Sequence, residues 1–187
     1  AKKTGQQPQA IVYDMLMEKD GRGYVYLPLL NYALFNFDHI HEMMRHPATV
    51  LSLSDGGAHC GVICDASFPT YMLTHWVRDR SRGERLSLEE VVRMQTHDTA
   101  RLYGLNDRGV LAPGMKADVN VIDLEKLRIL APEMVFDLPA EGRRMIQRAE
   151  GYRATIVSGA VTFENGRETG EMPGKLIRGP QRQAASV

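Results

Sequence analysis

The sequence predicts an α/β chain in which helices and strands alternate first and β-strands dominate afterwards. Three observations carry that reading. The run Thr49-Val50-Leu51-Ser52-Leu53 is β-branched and apolar, and it stops at Ser54-Asp55-Gly56-Gly57. Short apolar runs bounded by turn residues fit strands buried on both faces of a parallel sheet. Apolar residues recur at helical spacing on both sides of this run, in Pro8–Glu18 and again beyond Pro69. From Leu111 onward the texture changes to strand period, with Ala117, Val119 and Val121 alternating with Asp118 and Asn120. The central run therefore reads as a strand that delivers Asp55 to its C-terminal end, where barrels of alternating strands and helices keep their chemistry. Gly56 and Gly57 let the backbone turn beside the carboxylate. For S-D-G-G alone, an aspartate that caps a helix or closes a turn is the competing reading.

The elements follow in order. Ile11, Val12, Met15 and Leu16 give the first helix its apolar face, and Asp20-Gly21 ends it. Gly23–Leu27 reads as a short strand stopped by Pro28, with Tyr32 entering a loop able to face a substrate. Phe37 to Arg45 is helical, and His46-Pro47 breaks it. Pro69 suits the first turn of a helix whose apolar face is Met72, Leu73, Trp76 and Val77. Arg78 to Arg85 is its charged, solvated end. Ser87 with Glu90 spells a capping box for a helix through Leu88, Val91 and Val92. The polar patch Gln95–Thr99 is expected to break that helix, with Asp98 capping a last turn that stops at Gly104. Pro132 to Arg148 carries several breakers and one helical turn near Met145, without a firm assignment. Arg153–Val157 and Val161–Glu164 flank Ser158-Gly159 as a hairpin, Asn165-Gly166 starts another turn, and Gln181–Val187 reads as a frayed tail.

Composition removes several classes of function. Lys+Arg 23 against Asp+Glu 23 gives net charge +0, so no electrostatic footprint for nucleic acid is present. No apolar stretch approaches the length of about 20 residues that a bilayer demands. There is no signal peptide, and two cysteines make no disulfide framework, so a reducing cytoplasm is the expected setting. The chain opens without a methionine and reads as part of something longer.

Candidate ligands cluster in two places. Asp38-His39-Ile40-His41 spells a metal-binding H-x-H, but on a helix two residues apart lie about 200° around the axis, so the imidazoles diverge. After Asp55 comes Ala58-His59-Cys60-Gly61-Val62-Ile63-Cys64, where Cys60 and Cys64 form only a loose pair, short of a structural zinc site. Adjacent His59 and Cys60 lack a third orienting group for nucleophilic catalysis, and small buried thiols are the better reading. His59 stands four residues beyond Asp55, close enough to meet a substrate or bond the carboxylate.

These pieces together resemble a known family. Leu53-Ser54-Asp55-Gly56-Gly57, Phe68-Pro69, Leu88-Glu89-Glu90-Val91-Val92, Thr99-Ala100-Arg101-Leu102-Tyr103-Gly104 and Gly109-Val110-Leu111-Ala112-Pro113-Gly114-Met115-Lys116-Ala117-Asp118-Val119-Asn120-Val121-Ile122-Asp123 look like the C-terminal part of a metal-dependent amidohydrolase. Within that superfamily the chain is most similar to the N-acyl-D-amino-acid deacylases, or D-aminoacylases. The resemblance implies the last strands and helices of a metal-bearing (β/α)8 (TIM) barrel, residues 1–109, followed by part of a small β-sandwich, residues 110–180, and a tail, 181–187. It implies zinc, with most ligands upstream of this chain, and Asp55 as the acid at the end of the eighth barrel strand.

In the reaction so implied, zinc lowers the pKa of a bound water toward about 7. Asp55, touching the metal, accepts the water proton and passes it to the leaving nitrogen. The carboxylate of an N-acyl amino acid needs cationic or hydrogen-bonding partners, for which Tyr32, His59 and Arg80 are candidates. The isolated chain is expected to be inactive, and to pair with the rest of the barrel or another copy of itself. A dihydropyrimidinase-like cyclic-amide hydrolase and a non-catalytic scaffold module are the alternatives.

Overall fold

The computed structural model describes residues 1–28, 30–32, 34–51 and 54–182. They form a mixed helix-and-strand chain that divides into two compact units, Ala1–His41 and Glu42–Val187.

The first unit is built on α1, Pro8–Gly21, with proline in its first turn as its fixed φ and missing N–H allow. The helix breaks after Met17: Glu18 is extended, and Lys19 and Asp20 take left-handed φ of 54° and 59°. No residue of α1 is buried. The strand expected over Gly23–Leu27 does not form. A strand needs a neighbour for its N–H and C=O groups, and here Gly23 instead donates back to Leu16 O at 3.3 Å while Tyr26 and Leu27 stand 85% and 73% exposed. Tyr32 packs against the rings of Phe35 and Phe37, at centroid distances of 6.1 and 4.9 Å. Helix α2, Asp38–Arg45, starts next, and Asn36 Oδ1 accepts the Asp38 N–H at 3.1 Å.

The second unit holds the core. The strand expected over Thr49–Leu53 is not present in its described members; Ser52 and Leu53 lie outside the described residues. Thr49 spends its polar groups on the end of α2 instead. Its N–H and Oγ1 both reach His46 O, and Oγ1 also reaches Met43 O. Helix α3, Phe68–Tyr71, runs on as a π-helical stretch, Met72–Asp79, whose wider turn ends where Arg80 donates to His75 O five residues back, at 2.8 Å. Met72, Leu73 and Trp76 are buried on one side, as their spacing predicts.

Helix α4, Leu88–Arg93, opens on the expected capping box: Glu90 N–H donates to Ser87 Oγ at 3.1 Å, and Ser87 N–H to Glu90 Oε2 at 3.0 Å. The expected break at Gln95–Thr99 is corrected. The chain continues through a π-helical Met94–Asp98 into α5, Thr99–Leu102, because Thr96 and Thr99 hydroxyls donate to the helix's own carbonyls at 2.7 and 3.2 Å. Asp98 is helical and caps nothing; it takes Arg93 and His97 as partners.

Beyond Gly104 the structure is β, and every named pairing is antiparallel. β1 Val119–Ile122, β6 Tyr152–Val157, β7 Ala160–Glu164 and β8 Arg167–Glu168 form one sheet in the order β1-β6-β7-β8. The turns Ser158-Gly159 (φ 51° and 86°) and Asn165-Gly166 (φ 49° and 77°) are left-handed at both central residues, the geometry that matches the twist of hairpin strands. β2 Arg128–Ile129 pairs with β5 Ala149–Glu150. β3 Glu133–Leu138 pairs with β4 Gly142–Ile146, so the helical turn expected near Met145 is a strand, with Met145 opposite Met134. The breakers misled there because Pro139 and Gly142 punctuate a hairpin tip.

Helices and strands of this unit share one core. Leu127, wholly buried, joins Trp76, Leu86, Val91, Met94 and Ala100. Polar ties bind the two parts, Thr70 Oγ1 to Tyr152 OH at 2.8 Å and Arg78 Nη1 to Leu124 O at 2.5 Å, while Gln95 Nε2 to Pro69 O at 3.0 Å ties one helical segment to another. Gly151 (φ +100°) lies so close to Leu127 that a Cβ would sit 2.6 Å from its Cα.

Candidate active site

Asp55 stands on an exposed turn, with φ of 52°, and its carbonyl accepts the Ala58 N–H at 2.9 Å. Aspartate is one of the few non-glycine residues that visit this left-handed conformation readily. Ser54 Oγ accepts the Gly56 N–H at 3.3 Å. Gly56 is required at its position: a Cβ would lie 2.8 Å from Ala66 Cβ and 2.9 Å from Ala66 Cα. That close return of the chain holds the loop as a compact bend. His59, also left-handed at 45° and exposed, begins a second bend in which its carbonyl accepts Val62 N–H at 2.7 Å and Ile63 N–H at 3.3 Å.

The loop is anchored on strand β4. Met145 N–H donates to Cys60 O at 2.6 Å, and Cys60 Sγ lies 3.8 Å from Arg143 O. Farther along, Ser67 Oγ donates to Gln147 Oε1 at 2.5 Å. These ties, made by the segment Pro132 to Arg148 that carried no firm sequence assignment, fix the bends that present Asp55 and His59.

The predicted site residues are thus placed unequally. Asp55 and His59 share one exposed loop. Tyr32 belongs to the first unit, among aromatic rings. Arg80 is 3% exposed, with its guanidinium 4.4 Å from the Trp76 ring centroid, a stacked and packed position rather than a solvent-facing one. Cys60 and Cys64 are half-buried free thiols, and burial, with Asp65 beside it, pushes the Cys64 thiol up, keeping it protonated and unreactive.

Among the described residues no group of three or more His, Cys, Asp or Glu side chains is gathered to hold a metal ion. His39 and His41 on α2 make no such cluster. A zinc centre takes about four donors, so the described residues do not by themselves fit one, and Asp55 is the single carboxylate that the family resemblance assigned to it. No helix among them is long and apolar enough to cross a membrane.

Residues 10–163 match the amidohydrolase family, and the chain belongs to that family, a class of hydrolases acting on carbon–nitrogen bonds. It is 29% identical over 147 residues to an N-acyl-D-aspartate deacylase of Alcaligenes xylosoxydans xylosoxydans, covering 78% of this chain and 27% of that protein. It is 34% identical over 86 residues to an allantoinase of Streptomyces avermitilis, covering 46% of this chain and 17% of the relative. A dihydroorotase of Methanothermobacter thermautotrophicus is 37% identical over 90 residues, covering 46% and 20%. The chain therefore spans about a quarter or less of the length of these curated relatives. No solved structure matches it.

Proposed function

We propose that this chain is the part of a D-aminoacylase-type deacylase that carries the proton-transferring carboxylate, and that the whole protein hydrolyses the amide bond of N-acyl-D-amino acids. The observation that carries the reading is the breadth of the deacylase match, which takes in 78% of the chain against 46% for the allantoinase and the dihydroorotase. On this reading residues 1–109 belong to a TIM-type barrel and 110–180 to a β-sandwich.

Asp55 does the work assigned to this chain. An amide nitrogen leaves poorly until it is protonated. A carboxylate set beside the attacking water and the nitrogen takes a proton from the first and returns it to the second, an effect worth roughly 10² to 10⁴-fold. Its exposed turn supports that role, since it leaves the carboxylate open to water and substrate. His59, four residues on, faces the same solvent and is the substrate-facing partner. Arg80, stacked on Trp76, secures the end of the π-helical stretch. The family generally uses a metal, and zinc, when bound, supplies an acidified water and polarises the carbonyl. On this reading most of its ligands belong to the part of the protein upstream of this chain.

The test is a substrate panel on the full-length gene product, with N-acyl-D-amino acids in one arm and allantoin and dihydroorotate in the other. Turnover of the acyl amino acids is expected, with Asp55→Asn lowering kcat by at least about 10²-fold. Preference for the cyclic substrates would replace this reading with that of a cyclic-amide hydrolase.

A further inference from the structure

Strand β4 carries two consecutive arginines, and alternation along a strand sends them to opposite faces. Arg144 is held by Asp137 of β3, with bonds of 2.7 Å to both carboxylate oxygens. Arg148, just beyond the strand, is held by Glu133 at 2.7 Å. Arg128 of β2 and Arg153 of β6 are likewise engaged, by Glu150 and Asp123. Arg143 differs. It is exposed, and among the described residues it has no acidic partner.

Its position is set by the ties already described. The Arg143 carbonyl faces Cys60 Sγ, the N–H of Met145, two residues on, donates to Cys60 O, and the Arg143 Nε lies 3.7 Å from where a Cβ on Gly61 would stand. Gly61 sits inside the bend that His59 opens. An uncommitted guanidinium therefore lies along the loop that presents Asp55 and His59, and the lack of a side chain at Gly61 leaves its fork open on that side. A guanidinium fork matches a carboxylate in two parallel hydrogen bonds.

We propose that the β3–β4 hairpin forms one wall of the substrate site and that Arg143 is a specificity residue, binding a carboxylate of the acyl amino acid while Asp55 serves the scissile amide. This rests on the deacylase reading for the identity of the substrate, and goes beyond it in placing the recognition of negative charge on the β-rich part of the chain. The favoured substrate is thus anionic, and its uncharged carboxamide counterpart is the discriminating probe.

The experiment compares wild type, Arg143→Ala and Arg143→Lys in the full-length gene product, using N-acetyl-D-aspartate, N-acetyl-D-leucine and their carboxamides. Arg143→Ala is expected to raise KM for at least one carboxylate substrate by about 10- to 100-fold, with kcat within about threefold, and to leave the matching carboxamide unchanged. Arg143→Lys restores part of the loss, because it keeps the charge without the fork. Equal effects on acid and amide, or none, overturn the inference and leave the deacylase reading standing. If wild type hydrolyses neither substrate, the deacylase reading falls and calorimetric binding of N-acetyl-D-aspartate decides the inference separately. Binding lost in Arg143→Ala supports it; binding that is equal in both proteins, or absent from both, overturns it.

Discussion

Single residues in this chain divide sharply between those that bond the structure together and those left open to solvent. Asp118, inside the segment that most resembles the superfamily, belongs to the first kind. Its carboxylate accepts the Ser158 N–H at 2.8 Å and Arg108 Nη1 at 3.0 Å, so it closes the β6–β7 turn and anchors the loop before β1. Arg108 also grips Asp107, and that bond holds the Asp107 carboxyl below the usual carboxylate range. The signature is therefore structural at this position. Asp118→Ala is expected to destabilise the chain by about 1 kcal/mol, read as a lower midpoint in urea, because it removes the acceptor of the Ser158 N–H and one of the two carboxylates that hold Arg108. Asp55 belongs to the second kind: exposed, on a left-handed turn, its side chain is free to act on something else.

Among the elements, the π-helical stretch Met72–Asp79 concentrates an aromatic stack. His75 lies flat on Tyr71 at 4.8 Å and meets Trp76 edge-on at 5.5 Å, with Arg80 beyond. Burial pushes the His75 imidazole down, the Arg80 charge adds to the effect, and Asp79 partly opposes it. A folded-state pKa below the unfolded one means that the unfolded chain binds the proton more readily, so stability rises with pH across that window and falls on acidification through about 6.5. Melting temperature is expected to drop between about pH 7.5 and 5.5, and His75→Gln to flatten that slope; an unchanged slope would remove His75 from the account. The start of α4 gives a second check at this scale. Ser87→Ala should cost about 1 kcal/mol by removing the Oγ that accepts the Glu90 N–H, measurable by denaturant titration.

At the scale of the whole molecule, the apolar surface left uncovered is the leading feature. No residue of α1 is buried, and Tyr26, Leu27, Leu30 and Phe35 are 73–85% exposed in the first unit. Exposed apolar side chains in this number promote association. The 187-residue chain on its own is expected to self-associate, measured by light scattering across a concentration series; a monodisperse monomer would contradict this. It is also expected to show no turnover of an N-acyl-D-amino acid with added zinc, since one carboxylate is a small fraction of a metal site. Turnover above the metal-only blank would overturn that expectation.

What the sequence determined by itself is local. The capping box at Ser87, the helix start at Pro69 and the I′ turns at Ser158-Gly159 and Asn165-Gly166 were legible because their signals act within a few residues. The family, too, was readable from Ser54-Asp55-Gly56-Gly57 and the segment Gly109–Asp123. Non-local questions were decided only by tertiary structure. Thr49–Leu51 and Gly23–Leu27 have strand composition, but a strand exists only with a partner to take its backbone groups, and none meets them among the described residues. Gln95–Thr99 looks like a break, yet two hydroxyls turned back onto the helix let it run on. Pro132–Arg148 offered no clear period, and became a hairpin whose β4 strand reaches Cys60. That contact, between residues more than 80 positions apart, is why Arg143 could not be seen from the sequence as a neighbour of the Asp55 loop.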